Sequence, residues 1–186
     1  MDLTAMTDDS KRLLILIDRF SEPAHTRQER ETWIKKIPLA ALINRGTRMG
    51  IFVDYDTAPM LVDYKGSTRF ANISKEGEDD VADLREMGLV ERLKLATSHH
   101  IYVSAYRITP AGKDIVKDIG KEHHGAVDKL VSCSSCGGSV DIEARDEDPF
   151  LVCTKCGKEE RVALFDIDEV SYVSRPDFTK MWLPPD

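Results

Sequence analysis

The chain has 186 residues, 41% of them hydrophobic and 32% charged, and its formal net charge is −7 at pH 7. This composition is typical of a soluble globular protein, and the length gives room for one ordinary domain and a smaller one. The longest unbroken apolar run, residues 13–17, is far too short to cross a bilayer, so we exclude a membrane protein. The acidic balance also argues against a surface that attracts nucleic acid over its whole area.

An amphipathic helix is predicted near the N-terminus. Asp8, Asp9 or Ser10 could cap its start, and Ser-Glu-Pro at residues 21–23 would end it. Its apolar residues recur at the spacing of one helical face. They are Leu13, Leu16, Ile17 and Phe20.

A second helix is predicted over residues 26–36. Pro38 either ends it or begins a third helix, residues 38–45, which Gly46 would close, and we favour the first alternative. This part of the sequence carries its one basic cluster: Arg27, Arg30, Lys35, Lys36, Arg45 and Arg48. With Trp33 among them, these residues could bind a nucleic-acid strand by charge and stacking. A core tryptophan beside an ordinary helix surface is the more economical interpretation.

Two β-rich runs come next, at residues 50–55 and 60–64. The sequence Asp-Thr-Ala-Pro separates them and is typical of a turn. We therefore predict a hairpin or a loop-linked pair of strands.

The following segment has a more regular pattern. A helix is predicted over residues 78–87, with Val81 and Leu84 facing inward, and Gly88-Leu-Val90 ends it. Two strands and the turn between them then follow: residues 91–96, 97–100 and 101–108.

A further helix begins at Thr109. This residue is the predicted N-cap, and Pro110 takes the first helical position, where its missing N–H costs nothing. The apolar positions could continue to Val131, despite Gly120 and Gly125, as a helical connector.

The order of these elements resembles the second half of a winged helix-turn-helix domain. The resemblance rests on Leu84-x-x-x-Gly88-Leu-Val90 followed by Ile108-Thr-Pro-x-Gly112. It implies that the helix before Gly88 is the recognition helix and that the turn at 97–100 is the wing. The strand pair within residues 50–64 departs from the family pattern, which has a short strand and a second helix there.

All four cysteines lie in two C-x2-C pairs, with sixteen residues between them: Cys133 and Cys136, then Cys153 and Cys156. Each pair places two thiolates on one tight turn, and two turns give the tetrahedral four-sulfur shell that zinc prefers. Glycine follows the second cysteine of each pair, which suits a turn where a side chain would crowd the metal. We predict one structural Zn²⁺, since four thiolates leave no open position for water or substrate.

Strands are expected on both sides of the second cysteine pair. Residues 139–145 alternate apolar and polar side chains, residues 150–152 are a short apolar run, and residues 161–167 could supply a third strand. Over roughly residues 128–170 this resembles a zinc ribbon, in which two such turns sit on a small antiparallel sheet.

Two disulfides and iron–sulfur ligation are the alternatives to zinc. The start of the chain shows no secretory signal, so we expect an intracellular, reducing compartment in which disulfides are rare; cytoplasm, nucleus and organelle stay open. Ferredoxin cysteine spacings differ from those found here.

The distribution of charged residues distinguishes between recognition of nucleic acid and recognition of protein. A helix that enters the major groove normally brings several Lys or Arg to the phosphates, whereas the helix before Gly88 turns acidic residues outward. Residues 128–186 hold 7 Lys and Arg against 13 Asp and Glu, a balance of 7 − 13 = −6. We therefore favour recognition of a protein partner through the acidic positions Asp79, Asp80, Asp83 and Glu86.

We thus predict an α+β chain in three parts. Residues 1–120 form a winged-helix-like domain with N-terminal helices and an inserted β-hairpin, residues 121–131 a helical connector, and residues 132–186 a small all-β zinc ribbon and C-terminal tail. The predicted function is a non-catalytic zinc-binding adaptor or regulatory module that recognises a protein. The alternative is a DNA- or RNA-binding transcription regulator of winged-helix plus zinc-ribbon type. No motif for a nucleophile or a phosphate loop is visible, so we predict no enzyme and no small-molecule substrate.

Overall fold

The computed structural model describes residues 6–23, 31–96, 103–145 and 148–167. This part of the chain is a mixed α/β structure with five helices and three small antiparallel sheets. In chain order the elements are α1 (Asp8–Phe20), β1 (Ile34–Lys35), α2 (Lys36–Arg48), β2 (Ala58–Tyr64), β3 (Ser67–Ile73), α3 (Lys75–Glu86), β4 (Val90–Leu95), β5 (Val103–Ile108), α4 (Pro110–Asp118), α5 (Lys121–Leu130), β6 (Val140–Ala144), β7 (Pro149–Cys153) and β8 (Glu159–Arg161).

The three sheets are built from separate sets of strands. The first has the order β1-β5-β4, the second is the β2-β3 hairpin, and the third has the order β6-β7-β8. In the first sheet Tyr106 of β5 lies between Ile34 of β1 and Arg92 of β4. In the hairpin Tyr64 pairs with Ser67 next to the turn.

Helix α1 lies at the centre of the core. Residues 13–17 are all 0% exposed, and the helix packs against α3, α4, α5 and β5. Five consecutive apolar residues cover every side of a helical turn, so this part of α1 is stable only because neighbours surround it. The predicted helix is confirmed, but its cap is Thr7, whose hydroxyl accepts the N–H of Ser10 at 3.0 Å.

The helix predicted over residues 26–36 is wrong in its second half; residues 26–30 lie outside the described residues. Thr32 exchanges backbone hydrogen bonds of 2.9 and 3.1 Å with Glu22, and β1 follows. Pairing of Ile34 with Tyr106 outweighs local helix propensity here, because it buries Ile34 to 3% exposure.

Helix α2 also differs from the prediction. It starts at Lys36, before Pro38, and continues through Gly46 to Arg48. Pro38 lies in the first turn, where no intrahelical N–H bond is lost. Gly46 does not close the helix but allows a close approach: a Cβ there would lie 2.5 Å from Cδ2 of Phe52.

The strand predicted at residues 50–55 is not formed. Phe52 and Tyr55 instead enter the core, with exposures of 1% and 4%, and their rings stack at a centroid distance of 5.0 Å. The hairpin partner of β2 is β3, joined to it by a turn at Lys65 and Gly66, both with positive φ. Residues 51–53 are β-rich in sequence, but packing of Phe52 against Gly46 holds them in a loop.

The elements from α3 to α4 agree with the prediction, and their motif residues contact one another. The Thr109 hydroxyl accepts the Gly112 N–H at 3.0 Å and donates to the Gly88 carbonyl at 2.8 Å. A Cβ on Gly112 would lie 2.3 Å from the Leu89 carbonyl oxygen, so only glycine lets α4 begin this close to the end of α3. The predicted turn at residues 97–100 lies outside the described residues.

The continuous helix predicted to Val131 is wrong, because the chain breaks at Ile119 and Gly120 between α4 and α5. Beyond α5, we call residues 132–167 the ribbon region. Its third strand is β8, earlier than the predicted residues 161–167, since Leu164 and Phe165 leave the sheet and become buried.

The ribbon region packs directly on the rest of the molecule. Its buried residues belong to one continuous apolar core with α1, α2 and the hairpin. The Asn72 backbone N–H donates to the Leu164 carbonyl at 2.9 Å, and the Phe165 ring lies 4.8 Å from that of Tyr64. The division at residues 120 and 131 stays a prediction. Across the described residues, no helix is both long and apolar enough to cross a bilayer.

Replacement of Gly46 by alanine tests the packing of α2. Alanine favours an exposed helix by about 1 kcal/mol over glycine, but here its Cβ would meet the Phe52 ring at 2.5 and 2.6 Å. We expect Gly46→Ala to lower the free energy of unfolding by about 1–3 kcal/mol, measured by urea denaturation. Gly125→Ala in α5, where nothing lies within 4 Å, is the control and should be neutral or stabilising. A Gly46→Ala protein as stable as the control would contradict this packing.

Candidate metal centre

The two cysteine turns have the same backbone geometry. Gly137 N–H donates to the Cys133 carbonyl at 2.9 Å, and Gly157 N–H donates to the Cys153 carbonyl at 3.0 Å. Both glycines have positive φ, 65° and 70°. Each turn therefore folds back on its first cysteine. This geometry directs the two cysteine side chains of a turn toward one point.

The four sulfurs of these turns converge. All four Sγ atoms lie within 4.8 Å of one another. The closest contacts cross between the turns: Cys133 to Cys156 is 3.7 Å and Cys136 to Cys153 is 3.5 Å. A tetrahedral shell with metal–sulfur bonds of about 2.3 Å needs sulfurs about 3.8 Å apart, and a disulfide needs about 2.05 Å. The spacing fits a shared metal ion and excludes disulfides between these pairs.

Backbone N–H groups favour thiolates at the centre. The N–H groups of Cys156 and Lys155 each donate to the Cys153 sulfur at 3.4 Å, and they lower the pKa of Cys153 to about 6. The N–H groups of Ser135 and Cys136 likewise lower the pKa of Cys133. Deprotonated sulfur is the form that binds a metal.

Hydrogen bonding between neighbouring sulfurs acts against full deprotonation, because a protonated cysteine can donate to an adjacent thiolate. The Lys158 N–H favours the Cys156 thiolate, but the sulfurs of Cys136 and Cys153 raise its pKa to about 12. Four negative charges this close need a cation between them. The donor set therefore suits a divalent ion that prefers sulfur.

Gly138 keeps space free beside the sulfurs. A Cβ at this position would lie 3.3 Å from the Sγ atoms of Cys136 and Cys153 and 2.9 Å from the Lys155 Cβ. Its carbonyl also accepts the Cys133 N–H at 2.8 Å. These observations together show four cysteines positioned to bind a metal ion.

The centre lies at the surface of the ribbon region. Cys133 and Cys153 are buried, whereas Cys136 and Cys156 are exposed. Lys158 joins the two turns, since its Nζ donates to the hydroxyls of Ser134 at 3.1 Å and Ser135 at 2.9 Å. The site is thus held by its own short loops and by β7.

The predicted basic cluster is not a continuous patch of uncompensated charge in the described residues. Lys36 pairs with Glu78 at 2.6 Å, and Arg45 pairs with Glu160. Lys35 is exposed on β1, and Arg48 is exposed at the end of α2. Trp33 is half-buried, with the Arg107 guanidinium 4.4 Å from its ring centroid. The remaining two members, Arg27 and Arg30, lie outside the described residues.

The acidic positions of α3 divide into two kinds. Asp79, Asp83 and Glu86 are exposed. Asp80 turns toward α1 instead, and its Oδ2 accepts hydrogen bonds from the Ser10 hydroxyl at 2.7 Å and the Tyr55 hydroxyl at 2.6 Å. Burial and this bond to Asp80 raise the pKa of Tyr55, so the phenol stays protonated and keeps donating. Asp80 therefore connects α3 to the core.

The sequence did not reveal the residues that attach the ribbon region to the rest of the described structure, which we call the body. Asn44 Nδ2 donates to the Ala163 carbonyl at 2.9 Å, and Asn72 Nδ2 donates to the Asp166 carbonyl at 2.7 Å. Both asparagines are buried, with exposures of 1% and 7%. Asparagine within an apolar helix face was the one signal that could have marked Asn44.

Comparison with protein families matches residues 9–163 to the Uncharacterized protein MJ1567 family. This match covers most of the chain and includes both cysteine turns, so the chain belongs to that family. The search of curated proteins found no match.

Gly138→Ala tests the geometry of the metal centre. The added Cβ would crowd two sulfurs at 3.3 Å, so we expect metal affinity to fall about tenfold, which corresponds to about 1.4 kcal/mol. Competition with a chromogenic chelator measures the affinity. Ser135→Ala is the matched control, because it removes a hydroxyl from the same turns and keeps the N–H that faces Cys133. Equal affinity for both variants would contradict the crowding.

Proposed function

We propose that this chain is a non-catalytic zinc-binding adaptor that recognises a protein partner. The convergence of the four cysteine sulfurs within 4.8 Å carries the metal part of the proposal. Sulfur-only donors at tetrahedral spacing favour Zn²⁺ over the harder divalent ions. Four thiolates complete its coordination and leave no position for a substrate, so the ion is structural.

The zinc ion stabilises the small sheet of the ribbon region and the position of that region on the body. The ribbon region has a small core. It includes Val140 of β6, Leu151 of β7 and Val162, which follows β8, and all three are buried. A sheet of this size depends on its metal for much of its folding energy. Because the region is also bonded to Asn44 and Asn72, metal binding stabilises its position on the body.

The body supports a winged-helix assignment. The order of a helix, two strands and a helix that begins with Thr-Pro resembles the second half of such a domain. Here β1 pairs with β5, β5 pairs with β4, and α3 leads directly into β4. The β2-β3 hairpin then occupies the interval between the two central helices as an insertion.

The charge of α3 favours a protein as the partner. Its exposed side chains include Glu76, Asp79, Asp83 and Glu86 against Lys75 and Arg85, and Lys75 is paired with Asp79. A helix of this charge is repelled by phosphates and attracted by a basic protein surface. We assign the recognition to the exposed face of α3 and to the ribbon region.

A nucleic-acid-binding regulator is the second candidate, because the body resembles a winged helix, a fold that many DNA-binding regulators use. It requires the basic side chains to act against the overall charge of −7. Lys36 and Arg45 would then have to exchange their carboxylate partners for phosphates.

Metal analysis tests the zinc proposal. Native mass spectrometry and elemental analysis should find one zinc per chain in the wild type and none in Cys153→Ser, which loses a buried ligand. Removal of the metal with EDTA should lower the melting temperature, because the ribbon region then loses its central cross-link. Ser134→Ala, a change in the other cysteine turn without loss of a ligand, should keep its zinc. A metal-free wild type with unchanged melting would reject the structural role.

Charge reversal on α3 tests the choice of partner. The variant carries Asp79→Lys, Asp83→Lys and Glu86→Lys. In native extract, certain proteins should cross-link to the wild type. We expect the amounts of these proteins that cross-link to the variant, quantified by mass spectrometry, to be strongly reduced. An equal charge change on α4 and α5 serves as control: Asp114→Lys, Asp118→Lys and Glu122→Lys, all exposed.

The wild type and the two charge variants are also titrated against labelled duplex and single-stranded DNA of random sequence, at low and high salt. We expect no salt-dependent binding by the wild type, since phosphate attraction requires uncompensated cations. Tight binding that weakens as salt rises would replace the adaptor with the nucleic-acid regulator.

A further inference from the structure

One face of the β2-β3 hairpin is apolar and is left uncovered by the described residues. Successive side chains of a strand point to opposite faces, so Leu61 shares a face with Pro59, and its cross-strand partner Phe70 lies beside it. Leu61 is 63% exposed, Phe70 is 54% exposed, and Pro59 is exposed as well. We call this the outer face of the hairpin. The other face enters the core, where Ala71 and Ile73 are buried.

Polar residues bound the outer face at its turn end. The Thr68 hydroxyl donates to the Asp63 carboxylate at 2.9 Å, and both residues are exposed. The two residues are cross-strand partners, and Asp63 lies two positions after Leu61, so they share its face. The apolar part of the outer face therefore extends away from the turn, toward Asn72.

The last described residues reach the outer face at Asn72. This residue lies two positions after Phe70 on β3, so both side chains are on the same face. Its Nδ2 donates to the Asp166 carbonyl at 2.7 Å, which places Asp166 beside the outer face. The Asn72 backbone N–H donates to the Leu164 carbonyl at 2.9 Å, so the chain passes along β3 before it arrives there. The described part of the chain ends one residue later, at Ile167.

The sequence beyond this point carries the kind of side chain that such a face lacks. Residues 168–186, which we call the tail segment, include three aromatic residues: Tyr172, Phe178 and Trp182. Aromatic side chains supply much of the apolar area that is buried at interfaces. An extended chain covers about 3.3 Å per residue, and Phe70 is two residues from Asn72, so all three aromatic residues are within reach of the outer face.

We propose that the outer face of the hairpin is the docking site for the tail segment of the same chain, whose aromatic side chains cover Leu61 and Phe70. The covalent link favours this occupant. A segment tethered by a short link meets its site at an effective concentration of about millimolar, and here the link starts beside the site, at Asp166. This inference goes beyond the adaptor function and does not rest on it.

A second copy of the chain fits the outer face less well. Each partner of a stable dimer buries about 800 Å², whereas the apolar part of this face consists of Leu61, Phe70 and Pro59 among the described residues. Contact of that size is weak between separate molecules. It is enough for a tethered segment, because the link has already met most of the entropic cost of association.

Fluorine NMR of the full chain tests the proposal. The chain is labelled with 5-fluorotryptophan, which reports on its two tryptophans, Trp33 and Trp182, and Trp182→Phe assigns the two signals. Exposure of each ring is measured as the broadening that a soluble nitroxide causes. We expect the nitroxide to broaden the Trp182 signal of the wild type much less than that of free 5-fluorotryptophan.

The decisive variant carries Leu61→Thr and Phe70→Thr, because threonine keeps the β propensity of the strands and removes the apolar surface. Loss of two partly exposed apolar side chains should weaken docking about tenfold, so broadening of the Trp182 signal should rise at least about twofold. Val53→Thr is the matched control, since Val53 is 72% exposed and lies outside the hairpin. An unchanged signal from half-buried Trp33 shows that the fold is retained.

A reciprocal variant changes the tail segment alone. Phe178→Ser with Trp182→Ser leaves every described residue intact, so it does not depend on how the hairpin tolerates substitution. We expect it to shift the backbone amide signals of Leu61 and Phe70 in a proton–nitrogen spectrum and to leave that of Val53 in place.

Three results would overturn the proposal. A Trp182 ring as exposed in the wild type as free 5-fluorotryptophan would leave the outer face open to a partner protein. Protection that disappears on dilution would assign the face to a second copy. Protection that is the same in the hairpin variant, the Val53→Thr control and the wild type would place the tail segment on another surface.

Discussion

The attachment of the ribbon region to the body is the interaction on which the rest of the structure depends. It uses two buried asparagine side chains, Asn44 and Asn72, which bond to backbone carbonyls at 2.9 and 2.7 Å. Buried amides are costly unless paired, so these bonds specify one docked position more sharply than apolar contact alone would. The Phe165 ring between Tyr64 and Arg69 adds apolar and cation–π contact at the same junction.

The cysteine cluster and the hairpin are both joined to this attachment. The cysteine turns hold the sheet that carries residues 160–166, and these residues bond to α2 and β3. The β2-β3 hairpin therefore has a structural purpose, since it supplies Tyr64 and Asn72 to the junction.

Several features that depend on neighbouring residues were predicted correctly, whereas those that depend on distant partners were not. The cysteine turns and the Thr109 cap depend on residues a few positions apart, and the close approach of Gly112 to Leu89 left a visible motif. The loop around Phe52 was misread as a strand, because its β-rich composition says nothing of the Gly46 surface that receives it. Asn44 differs from its apolar neighbours on α2, but nothing in the nearby sequence indicates its partner Ala163.

The bond between Asn44 and Ala163 joins residues 119 positions apart, and that between Asn72 and Asp166 joins residues 94 apart. Contacts of this sequence separation close late in folding and slow it. During synthesis these two hydrogen bonds cannot form until almost the whole described chain has emerged. Until then, both asparagine amides stay hydrated. A nascent chain that stops before the second cysteine pair would lack two of the four clustered cysteines and the segment that packs on Tyr64, so the core and the cysteine cluster are completed together, late in synthesis.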